Sequence, residues 1–213
     1  MKIVIDERYA GQTIREVLTR ELGYSSNLLK KLKFSEGGIL VDGTFRTVRH
    51  VLSVGEELSL AVEDTASDVS PYTIPVALPI EILYEDAYVT AVNKPFGMPS
   101  HPSLGHQRDT VSNALAWRYR DRPYVFRPVN RLDRDTSGCM LTANTRDASY
   151  KMYRAMVEGK IHKTYLAVLD SVPECREGVL RSYMHRRDES IIEREECGEN
   201  DSDAKLAVTE YRV

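Results

Sequence analysis

The chain has 213 residues, 42% of them hydrophobic, and a formal net charge of −3, which is enough apolar material for a sizeable core and enough length for a small domain joined to a larger one. No apolar run approaches the roughly 20 residues of a bilayer span, and "MKIVIDERYAG" lacks the apolar stretch and small-residue cleavage site of a signal peptide, so a cytoplasmic protein with no membrane partner is expected. Cys139, Cys175 and Cys197 are far apart with no C-x-x-C spacing, which argues against a disulfide framework or a zinc knuckle.

In chain order, Thr13-x-x-Glu16 is a capping-box pattern, and Ile14, Val17, Leu18 and Leu22 follow at helical spacing before Gly23. A second helix starts near Ser25 or Ser26 and turns Leu28, Leu29 and Leu32 inward, leaving Lys30, Lys31 and Lys33 outward until Gly37-Gly38 ends it. "ILVDGTFRTV" then alternates into an Asp42-Gly43 turn, and "SVGEELSL" supplies a further strand with Leu58 and Leu60. This helix pair, followed by a "GGILVDG" turn, resembles the S4 RNA-binding domain, although Asp42 stands where that family usually has Asn. The resemblance implies that Lys30, Lys31, Lys33 and Arg46 contact RNA; read by themselves, the lysines are equally a solvated helix face.

Residues 63–79 contain Pro71, Pro75 and Pro79 without periodicity and read as a linker. "IEILYEDAYVTAVNK" gives two strands around a Glu85-Asp86 turn, and Pro95, Gly97, Pro99 and Pro102 make the next stretch irregular. A helix capped by Asp109 or Thr110 turns Val111, Ala114 and Leu115 inward, "CMLTANT" reads as a strand, and a helix over 146–158 turns Ala148, Met152, Ala155 and Met156 inward before Gly159. "KTYLAVL" reads as a further strand. The expected fold is α+β with a mixed or antiparallel sheet, divided into 1–62, a linker over 63–79, and a domain over 80–213.

Charge is unevenly spread. Residues 28–50 carry five basic side chains, residues 117–134 carry six arginines interleaved with Trp117, Tyr119, Tyr124 and Phe126, and residues 61–90 hold six acids and no base. Such segregation suits a phosphate-binding face beside a solvated acidic linker, or a charged surface with no partner.

The densest charge is "RLDRDTSG", residues 131–138. A carboxylate at 133 flanked by Arg131 and Arg134 is held ionised if the guanidinium groups reach it, which suits a nucleophile, a proton acceptor or a stabiliser of positive charge on a sugar carbon. Thr136, Ser137 and Gly138 close the loop and lead into the next strand. "NRLDRDTSG" resembles the active-site motif of RNA pseudouridine synthases of the RluA type. "VNKPFGMPSHP" resembles the loop that family places ahead of it, and "KTYLAVL" the K-x-Y-x-A strand that follows.

The resemblance implies that Asp133 is the catalytic aspartate, that Tyr165 stacks on the target base, and that Arg131 orients Asp133 or touches a phosphate. It leaves Lys94, Arg134, Thr136 and Lys163 as candidate RNA contacts. It implies isomerisation of uridine to pseudouridine without metal or organic cofactor, on ribosomal rather than transfer RNA, with no obligatory protein partner. His101 and His106 lack a third ligand for a metal. Asn130 stands where the family usually has His. The family's strand like "VTEYRV" is followed by an arginine-bearing segment whose first arginine pairs with the aspartate; here the chain stops at Val213, so the expectation is a C-terminally incomplete catalytic domain in which Arg131 or Arg134 balances Asp133. The alternatives are an RNA-binding homologue or fragment without catalysis and, behind it, a phosphohydrolase using Asp133 and Asp135.

Overall fold

The computed structural model describes residues 1–187 and 193–213, which divide into two compact units, Met1–His162 and Lys163–Val213. All three sheets are antiparallel, in line with the α+β expectation. No helix among the described residues is long and apolar enough to cross a membrane.

The first sixty residues follow their local signals closely. Thr13 and Glu16 form the capping box of α1 (Ile14–Glu16), which runs on as a π-helical turn over Val17–Glu21, and Gly23 takes φ +69° to stop it. Ser25 caps α2 (Ser26–Phe34) through the Leu28 amide. The strands β1 (Lys2–Val4), β2 (Ile39–Val41), β3 (Thr44–Phe45) and β4 (Glu57–Leu60) form a sheet in the order β1-β4-β2-β3. Asp42 and Gly43, at φ +48° and +74°, make the two-residue turn between β2 and β3, the backbone sign that primed hairpin turns require. Ile14, Val17, Leu18, Leu29, Leu32, Ile39, Val41, Leu58 and Leu60 close one core.

Residues 63–79, read as a linker, make side-chain contacts within the first unit. Around a 3₁₀ turn at Ala66–Asp68, Asp64 and Asp68 meet basic groups from three other parts of the chain. Arg127 donates to Asp64 at 2.7 and 2.5 Å, Arg146 reaches Asp64 at 3.1 Å and Asp68 at 2.7 Å, and Lys31 pairs with Asp68. Further on, Asn113 donates to the Ile74 carbonyl at 2.7 Å. Lys31 therefore departs from its expected place on a solvated RNA-facing surface: a carboxylate 37 positions away claims it, which is more than helical periodicity can register. Lys30, Lys33 and Arg46 are exposed.

The rest of the first unit is a sheet in the order β5-β6-β7, from β5 (Glu81–Glu85), β6 (Val89–Lys94) and β7 (Gly138–Ala143). Thr110 caps α3 (Val111–Arg118), and Val92, Val111, Leu115, Tyr124, Leu132 and Met140 form the second core. Thr145 caps α4 (Arg146–Val157), of which only Ala148 is fully buried; Met152, Ala155 and Met156 are half-buried, less than their spacing implied. Gly159 stops the helix at φ +69°.

In the second unit β8 (Glu177–Arg186) pairs with β10 (Lys205–Arg212) and with β9 (Arg194–Cys197). The expected strand over 163–169 is a correction: this stretch has no ladder partner among the described residues, and Leu166 and Val168 are fully exposed. Alternation alone makes no strand without an edge to pair with.

The acidic clamp makes two testable statements. Asp64→Ala takes from Arg127 its carboxylate and from Arg146 one of two, both arginines being largely buried, and should lower the unfolding free energy in urea by about 3 kcal/mol. Burial pushes the Asp68 carboxyl up, but hydrogen bonds from Lys31, Thr65 and Arg146 together outweigh it and hold the group well below its ordinary value of 3.8. The unfolded chain then binds the extra proton first, so this contribution is complete above the ordinary carboxylate value and is lost as pH falls below it. Urea midpoints between pH 7 and pH 3 should show that fall, and Asp68→Asn should flatten it.

Candidate active site

The approach to "RLDRDTSG" is laid along the free edge of β7. The Ala143 amide donates to the Arg127 carbonyl and the Val129 amide to the Leu141 carbonyl, both at 2.8 Å. At Asn130 the side chain takes over the ladder, its Oδ1 accepting from the Leu141 amide at 2.8 Å. The residue that stands in place of histidine is thus a strap on the sheet edge.

Beyond it the chain alternates. Leu132 is buried in the second core, so Arg131 and Asp133 on either side of it are exposed. Ser100 fixes Leu132 at both polar ends: its hydroxyl donates to the Leu132 carbonyl at 2.6 Å and accepts from the Leu132 amide at 3.3 Å. Ser100 is held in turn by α3, whose first amides reach back, Val111 to the Pro99 carbonyl at 3.0 Å and Ser112 to the Ser100 carbonyl at 3.2 Å.

On the other side of Asp133 the anchor is Lys94. This lysine is fully buried at the end of β6 and donates from Nζ to three carbonyls: Pro95 at 3.0 Å, Met98 at 2.6 Å and Arg134 at 2.9 Å. The Gly97 amide donates to the same Arg134 carbonyl at 2.9 Å. Burial pushes the Lys94 ammonium down from its ordinary value, and the nearby carboxylates of Asp135 and Asp133 oppose that push. Both chain neighbours of Asp133 are therefore clamped by the 94–100 loop. The turn closes where the Thr136 amide donates to the Asp133 carbonyl at 3.1 Å, and Gly138, paired with Lys94 in the ladder, takes φ +122°, a conformation that side-chain-bearing residues rarely adopt.

Three sequence expectations change here. Lys94 does not face a phosphate; it is a buried fastener, its ammonium spent on the carbonyls of Pro95, Met98 and Arg134. Arg134 does not balance Asp133: it forms a two-pronged pair with Asp135, 3.0 Å on each arm, which holds the Asp135 carboxyl below its ordinary value. Arg131 makes no ion pair among the described residues. The Lys94 ammonium is close enough to interact with the Asp133 carboxyl.

Asp133, Arg131, Arg134, Thr136 and Lys94 thus lie together on two interlocked loops of the first unit. Lys163 and Tyr165 belong to the second unit, Lys163 exposed and Tyr165 56% exposed. His106, weighed as a metal ligand, has Asp109 at 2.6 Å from Nδ1. Sequence reasoning missed Ser100 and Asn130 as shapers of the site; "PSHP" beside a proline-rich turn marks a loop but carries no sign of what the hydroxyl will hold.

Comparison with known proteins places this geometry in a family. The family model described as RNA pseudouridylate synthase matches residues 88–213, which include both interlocked loops. An uncharacterized RNA pseudouridine synthase, YjbO, of Bacillus subtilis is 34% identical over 195 residues, spanning 91% of this chain and 67% of that protein. Ribosomal large subunit pseudouridine synthase D of Xylella fastidiosa is 33% identical over 183 residues, spanning 83% of this chain and 52% of that protein. The solved structure of human RNA Pseudouridylate Synthase Domain Containing 1 aligns with a TM-score of 0.49 and 22% identity, over 63% of this chain and 52% of that one. The chain spans between about half and two thirds of the length of these relatives. From the match over residues 88–213 and the identity to YjbO, the chain belongs to the RNA pseudouridylate synthase family.

Proposed function

We propose that the chain isomerises uridine to pseudouridine in RNA, with Asp133 as the catalytic carboxylate. The observation that carries this reading is an exposed aspartate whose two chain neighbours are pinned, one by Ser100 and one by Lys94. A carboxylate with no ion pair among the described residues, on a backbone held at both sides, is available to a substrate and presented in one place. In the proposed reaction the bond between ribose C1′ and uracil N1 breaks, the base turns, and C1′ bonds to C5. The C5 proton is lost and N1 gains one, so no atom is added and no oxidant is required. An anionic carboxylate serves either attack at C1′ or removal of the 2′ proton.

Tyr165 is the proposed stacking partner for the turned base, supported by its place in "KTYLAVL" and by its exposure, since an unstacked base in single-stranded RNA is commonly held on an aromatic face. Arg131, Arg134, Thr136 and Lys163 are the proposed contacts to RNA beside the target, Arg131 being the unpaired cation of the loop. Residues 1–62 are the proposed S4-like RNA-binding unit, with exposed Lys30, Lys33 and Arg46 as its phosphate contacts. The ribosomal large subunit, after which the Xylella fastidiosa relative is named, supplies the proposed substrate class, its RNA, and a cytoplasmic location is proposed with it.

The reading is tested by incubating the chain with transcribed large-subunit ribosomal RNA and measuring pseudouridine after digestion to nucleosides. Asp133→Asn keeps the shape and removes the charge, and should lower the rate roughly 10²–10⁴-fold while RNA binding by filter retention stays unchanged. Pseudouridine formed at the parental rate by that variant would sink the proposal. Lys94→Met keeps the stem and removes the ammonium, so the Pro95 and Met98 carbonyls lose this donor and the Arg134 carbonyl keeps only the Gly97 amide; it should cost about 3 kcal/mol of stability in urea and slow the reaction even below the temperature at which the variant begins to melt.

A further inference from the structure

The C-terminal end of α3 and the turn after it, Trp117 to Arg122, take no part in the clamp around Asp133. Arg120 lays its guanidinium over the Trp117 indole at 4.6 Å and donates from Nη1 to the Trp117 carbonyl at 2.8 Å. Arg122 lies over the Tyr119 ring at 4.8 Å. That ring is itself fixed: its hydroxyl joins Glu85 and, at 2.7 Å, Thr90, and Tyr124 packs against it at 4.9 Å between centroids. Glu85 is occupied by Arg118 and Tyr119 and feels Arg122 only through its longer-range field. Among the described residues neither Arg120 nor Arg122 forms an ion pair, and Trp117 is 43% exposed even with a guanidinium upon it.

Fixing an arginine at a helix end needs only one such contact. Here there are two in a row, each over a ring, and both arginines are exposed with no carboxylate paired to them among the described residues. The helix end itself carries about half a negative charge and exposed Asp121 one more, and the two guanidinium groups exceed them, so the surface is attractive to anions. An exposed indole beside two exposed guanidiniums matches the chemistry of an unpaired nucleotide, whose base stacks on any π-face and whose phosphates take paired N–H donors.

We propose that Trp117, Arg120 and Arg122 form an accessory site for an unpaired nucleotide of the RNA, outside the target uridine, with its base on the indole and the flanking phosphates on the two guanidiniums. The proposal rests on the reading that the chain acts on RNA, but it does not depend on catalysis.

Trp117 is the single tryptophan of the chain, so its emission reports this site. The experiment titrates the full chain with a five-nucleotide oligoadenylate, which contains no uridine to isomerise. Saturable quenching is expected, with the logarithm of the affinity falling against the logarithm of salt at a slope of about −1.4 for two phosphate contacts on a single strand. Arg120→Ala with Arg122→Ala should weaken the quenching about tenfold with an unchanged far-ultraviolet melt. Arg120→Lys with Arg122→Lys should keep the salt slope and still lose affinity, because an ammonium does not lie flat on a ring. Asp133→Asn should bind as the parent does, so a chain that quenches but makes no pseudouridine refutes the isomerase reading alone, and one that makes pseudouridine without quenching refutes this site alone. Quenching unaffected by the alanine pair, or reproduced in full by tripolyphosphate, overturns the proposal.

Discussion

The ammonium of Lys94 governs the shape of the site. A charged group taken out of water needs its protons served, and here three carbonyls from two different loops do so: Pro95 and Met98 on one, Arg134 on the other. Without the ammonium the two loops would lose the donor they share, and Pro95 and Pro99 bring no amide of their own to replace it. The cation and the irregular loop therefore require each other. A compact three-proton head suits this point convergence, whereas a planar guanidinium has no geometry for three carbonyls around one nitrogen.

From that point the clamp extends in both directions. Lys94 ends β6 and pairs with Gly138 at the start of β7, so the fastener sits where the central hairpin of the sheet hands over to the loop. Leu132 adds an apolar anchor of about 2 kcal/mol, and Ser100 fixes its polar ends. Asp133 is exposed between these anchors, which separates two demands. Rigidity comes from buried neighbours, and access comes from the aspartate itself lying outside the core. Arg134 and Asp135 pair with one another next door, so among the described residues no arginine pairs with Asp133.

Much of this was legible along the chain because the signals are local. Thr13, Ser25, Thr110 and Thr145 cap where their side chains reach an amide a few residues on, and Asp42-Gly43 turns because it tolerates positive φ. The "RLDRDTSG" loop stands out by composition alone. Charge partners were not legible in the same way. Lys31 and Asp68, or Arg127 and Asp64, are brought together by the fold across 37 and 63 positions, and nothing in either neighbourhood marks the other. The same limit explains Lys94, which in sequence is one more lysine before a proline. It explains residues 163–169 as well: their alternation is real, but a strand exists only through its partner, and β8, β9 and β10 found theirs among themselves.

The acidic stretch between the two basic ones also changes meaning once its contacts are known. Asp64 and Asp68 are internal counter-ions, and their pairing removes Lys31, Arg127 and Arg146 from the cationic surface. The exposed cations that remain for an anionic partner include Lys30, Lys33 and Arg46 near the N-terminus, Arg120 and Arg122 on their rings, and Arg131 close to Asp133. A net charge of −3 is compatible with RNA recognition on these terms, because a polyanion responds to the local field of unneutralised cations within about a Debye length of roughly 8 Å, and not to the sum over the chain. An exposed Asp133 would by itself repel a phosphate backbone. With Arg131 on the far side of Leu132 and the Lys94 ammonium interacting with it, Asp133 has two cations near it, the charge pattern on which the proposed reaction at a sugar carbon between two phosphates rests.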